Sequence, residues 1–200
     1  MDNCIFSPHC TELCCDKSCP ILAEISYLME RNKISMKSDV FRLSQNDLNK
    51  SIEILHRIQN DTNKFGVVVD IDTIKVANTL AYCSICQNWK GNRLHCNVYS
   101  LKFSSYIDTI QKSWSSNSTS DSFEYEQIWI NTSKVLIISS IDFVQFKDFQ
   151  TQTLLNIIHE RMENGLCTII VSPKLSTLVG QGQFFNRMQA MFGKAVIKWH

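Results

Sequence analysis

Five of the chain's 9 cysteines fall within its first 19 residues, as Cys4-x5-Cys10-x3-Cys14-Cys15-x3-Cys19, with His9 among them. Thiolate and imidazole are the ligands of tetrahedral zinc sites. A segment this short and polar cannot build an apolar core, and a metal can replace one: zinc contributes about 10–16 kcal/mol of apparent binding free energy in zinc-finger peptides. The clustering predicts Cys4, Cys10, Cys14 and Cys19 as ligands of one structural zinc, with Cys15 or His9 as substitutes. Cys19-Pro20 after a three-residue gap keeps an iron–sulfur cluster as an alternative, and free or disulfide thiols are the third reading. A separate pair, Cys83-x2-Cys86, with His95 and Cys96 downstream, reads as buried small side chains, because free cysteine is among the most buried residue types.

Two carboxylates, Asp70 and Asp72, follow the apolar run Val67-Val68-Val69 and precede Thr73 and Lys75. Carboxylates so placed can close a strand-end turn and cap the next helix, or serve as nucleophile and general acid beside magnesium. Near the C-terminus Lys174, Arg187, Lys194 and Lys198 form a candidate patch for nucleic-acid phosphates, with a solvated face as the other reading.

The elements that must position these groups are readable from periodicity. Ile21, Ile25 and Leu28 recur at helical spacing and predict a helix over Ile21–Arg31; Leu48, Ile52 and Leu55 predict another over Gln45–Ile58. From Phe65 onward, short continuously apolar runs alternate with helical stretches, the pattern of buried parallel strands and crossover helices. Strands are expected at Gly66–Ile71, Asn97–Phe103, Lys134–Ile141, Thr168–Ser172 and Ala195–Trp199. Helices are expected near Thr73–Trp89, Ser104–Trp114, Phe149–Glu163 and Gln183–Phe192, with a polar loop over 115–122. The chain then divides into a cysteine-rich module and helix (1–33), a linker and helix (34–64), and an α/β core (65–200).

Within that core Lys134-Val-Leu-Ile-Ile-Ser-Ser-Ile-Asp142 resembles a Walker B strand, and Cys167-Thr-Ile-Ile-Val-Ser172 resembles a sensor-1 strand ending in a small polar residue. Phe185-Asn-Arg-Met188 ahead of Ala195–Trp199 is similar to an arginine-bearing helix before a last strand. From Phe65 to the C-terminus the chain resembles AAA+ ATPases of the bacterial and phage replicative helicase-loader type and the related transposition helpers. The resemblance implies a three-layer, parallel-sheet P-loop-ATPase-like fold, with Thr73, Lys75, Asp142, Ser172 and Arg187 at the positions of a nucleotide site. Some helicase loaders also carry an N-terminal zinc module that contacts the helicase, which agrees with residues 1–20.

The departures from that pattern bear on activity. A P-loop needs glycines so that backbone N–H groups can cradle phosphates, yet no glycine lies between Gly66 and Gly91, and Asp70 and Asp72 stand where the anion would sit. Like charges about 4 Å apart repel by roughly 4 kcal/mol at an effective dielectric near 20. The acidic Walker B positions hold Ser139 and Ser140, with Asp142 two residues late. ATP binding is therefore not expected. The same residues resemble the D-x-D strand end of haloacid-dehalogenase-like phosphatases, which would make Asp70 and Asp72 catalytic, Ser139 or Ser172 phosphate-binding and Lys174 neutralising. That family's later acidic pair for magnesium is missing.

Composition narrows the function classes. The chain has 200 residues, 44% hydrophobic and 20% charged, with 6 Gly and 3 Pro, which excludes collagen-like and wholly disordered chains. With a formal net charge of +1, no global field draws it to phosphate or membrane. No apolar run approaches the roughly 20 residues of a membrane span, and Met1-Asp2-Asn3-Cys4 does not open a secretory signal, so a cytoplasmic location is expected. The function expected is that of a non-catalytic adaptor in DNA replication or a mobile element. It would bind a replicative helicase, an AAA+ subunit or another nucleic-acid-processing complex, with DNA or RNA as a further partner. A weak or partner-completed ATPase, with Arg187 acting across a subunit interface, is the alternative.

Overall fold

The runs of Val and Ile that alternate with helical segments fold as the sequence predicts. The structure, a computed structural model, describes residues 20–32, 34, 44–88, 97–115, 121–144, 147–173 and 196–199. Their elements are, in order, α1 (Pro20–Arg31), α2 (Gln45–Gln59), β1 (Phe65–Val69), α3 (Thr73–Asn88), β2 (Val98–Lys102), α4 (Phe103–Ser115), α5 (Asp121–Thr132), β3 (Val135–Ser139), α6 (Asp148–Glu163), β4 (Cys167–Ser172) and β5 (Val196–Lys198). The strands form one five-stranded sheet in the order β2-β3-β4-β1-β5. Every pairing is parallel, so all carboxyl ends lie along one edge.

Alternation along the strands feeds two separate cores. Val68, Val135, Ile137, Ile169 and Val171 face a cluster shared with α1, α2 and α3, whereas Val67, Leu136, Ile138 and Ile170 face one shared with α4, α5 and α6. The result is the expected three-layer α/β sandwich, with helices on both faces of a parallel sheet. On α1, Ile25, Leu28 and Met29 point inward, and on α2 Leu48, Leu55 and Ile58 do, while Ile52 lies outside. Ser44 caps α2 by accepting the Asp47 N–H at 3.1 Å.

Two local differences from the sequence expectation have physical causes. The strand expected to reach Ile141 stops at Ser139, because Ser140 adopts a left-handed conformation (φ 58°) and turns the chain into a 3-10 turn at Ile141–Phe143. Helix α5 was not expected. Its inward face is partly polar: Glu126 accepts a hydrogen bond from the Tyr99 hydroxyl at 2.8 Å, and the Gln127 amide donates to the Tyr106 hydroxyl. The helix expected over Gln183–Phe192 lies outside the described residues.

Candidate functional site at the carboxyl edge of the sheet

In open parallel sheets ligands bind outside the carboxyl ends of the strands, where successive crossovers go to opposite faces. Here β1 leads into α3 on one face and β3 leads toward α6 on the other. Strand β4 lies between them, so the ends of β1, β4 and β3 lie within about 10 Å at the usual strand spacing.

The turn from β1 to α3 is held by its own carboxylates. The Asp70 N–H donates to the Ser172 carbonyl at 3.0 Å, extending the β1–β4 ladder by one step. Asp70 is 6% exposed, and its Oδ1 accepts the Asp72 N–H at 2.7 Å. Asp72 in turn caps α3: its Oδ1 accepts the Lys75 N–H at 3.0 Å, while its carbonyl accepts the Val76 N–H at 3.0 Å. These are the bonds of a strand-end turn and a helix N-cap. Amide donors at a helix start would otherwise be open to a phosphate.

The other residues singled out from sequence fall as follows. Thr73 is buried as the first residue of α3. Lys75 is turned toward α2, where its Nζ lies 3.5 Å from Asp47 Oδ2. Ser172 closes β4 with no exposed surface, and Ser139 and Ser140 are buried at the end of β3. Asp142 sits in the 3-10 turn, with Oδ1 shielded from solvent and without a hydrogen-bond partner among the described residues. Thr73, Ser139, Ser140, Asp142 and Ser172 thus share the carboxyl edge, and Lys75 leaves it for Asp47. Lys198 ends β5, paired in register with Val69.

Lys174, Arg187, Lys194, the cysteines and histidine of residues 1–19, and His95 and Cys96 lie outside the described residues. Among the described residues no group of three His, Cys, Asp or Glu side chains comes together. Cys83 is buried in α3, and Cys86 packs partly buried against the same core. Burial pushes the Cys83 thiol up to about 12, against the opposing effect of a hydrogen bond with Ser51, so it stays protonated and unreactive at neutral pH.

Three exposed apolar side chains at this edge were not singled out from sequence: Ile71 in the turn before α3, Ile74 in the first turn of α3, and Phe143 in the 3-10 turn. Ile71 stands between two aspartates and Ile74 three residues on, which was the available signal for a solvent-facing pair. None of the described helices is long and apolar enough to cross a membrane.

No protein-family model matches the sequence, and a search of curated proteins finds no match. Solved structures do match. Domain III of the replication initiation protein DnaA from Thermotoga maritima superimposes with a TM-score of 0.58 at 12% identity, covering 82% of this chain and 68% of that one. AMPPCP-bound DnaA from Aquifex aeolicus gives a TM-score of 0.54 at 10% identity, covering 75% of this chain and 44% of that one. At these identities the likeness is one of fold, and the fold is AAA+ ATPase-like.

Proposed function

We propose that the chain is an accessory protein of DNA replication or of a mobile element, in which a helicase-loader-like AAA+ core serves as a binding scaffold without ATP turnover. The observation that carries this reading is the β1–α3 turn: the N–H groups of Asp72 and Lys75 are taken by the carboxylates of Asp70 and Asp72. A phosphate there would meet two anions and no open donor from these residues, and Lys75 is already engaged by Asp47. The same bonds hold Asp70 and Asp72 as structural acceptors, which argues against a phosphatase nucleophile and acid pair. The fold likeness to replication initiators supports the replication context.

Calorimetry of the purified chain with millimolar ATP, with and without magnesium, tests the reading. No saturable heat and no turnover are expected. Saturable binding would replace the adaptor by a nucleotide-switched loader, with Lys75 released from Asp47 and Arg187 as its interfacial arginine. The same titration with a single-stranded oligonucleotide reads the basic residues Lys174, Arg187, Lys194 and Lys198, whose contribution would show as a salt-dependent affinity.

The N-terminal segment (residues 1–33, ending in α1) is in this reading a zinc module on Cys4, Cys10, Cys14 and Cys19. It would dock a larger partner such as a replicative helicase or an AAA+ subunit. Metal analysis of protein purified without oxygen is expected to give one zinc and no iron per chain; a stoichiometric iron content would assign an iron–sulfur cluster instead.

A further inference from the structure

We propose that Asn164 is a site of spontaneous deamidation, held in check by the turn that joins α6 to β4 and released when that turn opens. Asn164-Gly165 is the chain's single Asn-Gly pair, and both residues are exposed. Glycine carries no side chain to hinder attack by its backbone nitrogen. In the reaction hydroxide takes the proton of the Gly165 N–H, and the nitrogen bonds to Cγ of Asn164. The Cγ–Nδ2 bond breaks, the nitrogen leaves as ammonia with a proton from water, and a cyclic imide remains. Water then opens the imide at either carbonyl, which leaves aspartate or an isoaspartyl link at position 164. Water is the only co-reactant.

The folded turn engages both reacting groups. The Gly165 N–H donates to the Met162 carbonyl at 3.0 Å and the Leu166 N–H to the Arg161 carbonyl at 2.8 Å, with Gly165 at φ 64°. This is the paired bonding of a Schellman helix end. The Asn164 side chain reaches back along α6, where its Nδ2 donates to the Glu160 carbonyl at 2.8 Å. Lys64 adds a tether by donating from Nζ to the Gly165 carbonyl at 2.9 Å. Attack therefore waits for these bonds to break, and they lie at an exposed helix end, where local opening takes the least free energy.

The product matters because of what adjoins it. Either product puts a carboxylate at the C-terminal end of α6, in the same stretch as Glu160 and Glu163, where the helix dipole disfavours an anion. The isoaspartyl link also lengthens the main chain ahead of Leu166 and Cys167, and the Cys167 carbonyl is held by Arg161 at 2.7 Å. Deamidation thus marks chains whose α6–β4 turn has opened and loosens the packing around Arg161 in them. It does not depend on the adaptor reading.

The test incubates the purified full chain at mildly alkaline pH, folded and in concentrated urea, and follows the Asn164 peptide by mass spectrometry, with aspartyl and isoaspartyl forms separated by chromatography. In urea, Asn164 is expected to convert ahead of every other asparagine. In the folded chain its conversion should be slower by about tenfold or more. Lys64→Met, which removes the tether, should narrow that difference; if the variant fails to fold, wild type in urea below its unfolding midpoint should do the same. Asn164→Asp should unfold at a lower urea concentration than wild type. Conversion in urea no faster than at other asparagines would overturn the site. Equal rates in the folded and unfolded chain, or a folded rate unmoved by loss of the tether and by urea below the midpoint, would overturn its control by the turn. An Asn164→Asp midpoint at or above that of wild type would overturn the effect on the packing around Arg161.

Discussion

Replacing Arg161 with leucine is expected to destabilise the fold by about 3–5 kcal/mol, read as a lower urea midpoint with an unchanged slope. Arg161 lies in the last turn of α6 with no exposed surface. Its Nε donates to Thr168 Oγ1 at 2.9 Å, and its Nη2 donates to the carbonyls of Ser133 and Cys167 at 2.9 and 2.7 Å. Its Nη1 donates to the Ile130 carbonyl and, at 3.4 Å, to Ser133 Oγ. One guanidinium thus joins α6, the end of α5, and the starts of β3 and β4. Ile130 and Ser133 lie at the C-terminus of α5, where the helix dipole favours a cation.

Leucine would leave three interior carbonyls without this donor, and a buried unsatisfied group costs about 1–3 kcal/mol. Lysine keeps the charge but has a single nitrogen in place of the planar fork, so Arg161→Lys should recover less than half of the loss. A loss below about 1 kcal/mol in the leucine variant would show that the carbonyls re-pair without the guanidinium.

The pH dependence has a definite sign. Burial lowers the Arg161 pKa to about 10, with Cys167 acting in the opposite direction. The unfolded chain therefore holds this proton more tightly. Below about pH 10 both states are charged and the group adds no slope; above about pH 10 the folded state releases the proton first, and its contribution to stability rises with pH. The stability difference between wild type and Arg161→Leu should accordingly be flat from about pH 6 to 9.

Which parts of this were legible in the sequence follows from where the signal lies. The strands were, because a parallel strand covered on both faces reads as an unbroken apolar run, as in Val135–Ile138 and Ile169–Val171. Helix α5 was not, because its pattern is inverted: Glu126 and Gln127 turn inward to serve Tyr99 and Tyr106, while Tyr125 and Ile128 face solvent. Buried tyrosine hydroxyls require polar partners, and a hydrophobicity count reads those partners as surface.

Arg161 was missed for the same reason, although the stripe Leu154, Ile157, Ile158 runs straight into it at helical spacing. A charge at the end of an apolar stripe was the signal. At the candidate site, the carboxylates of Asp70 and Asp72 were readable as turn and cap. Lys75 was not readable as a partner of Asp47, because that contact joins two helices separated by β1.

Gly66→Val is expected to destabilise the fold by about 3 kcal/mol or more, beyond the usual 1–3 kcal/mol for an overpacked core. Gly66 is the second residue of β1, ahead of the turn in which a nucleotide-binding chain would place its phosphate-cradling glycines. Its role here is packing. A Cβ added at Gly66 would lie 2.4 Å from Ile58 Cδ1 and 2.7 Å from Cγ1. Ile58 is 2% exposed, on the face of α2 that seats against the sheet, so it cannot swing away into solvent. Valine adds two further methyls to a place that already has no room for one, and α2 must lift from β1. Because Asp47 of α2 holds Lys75, the displacement should also loosen the start of α3. Combining Gly66→Val with Ile58→Ala makes space for the new side chain, and the double variant should be more stable than the sum of the two losses by about 1–3 kcal/mol. Strictly additive losses would mean that the glycine is required for its backbone and not for the approach of Ile58.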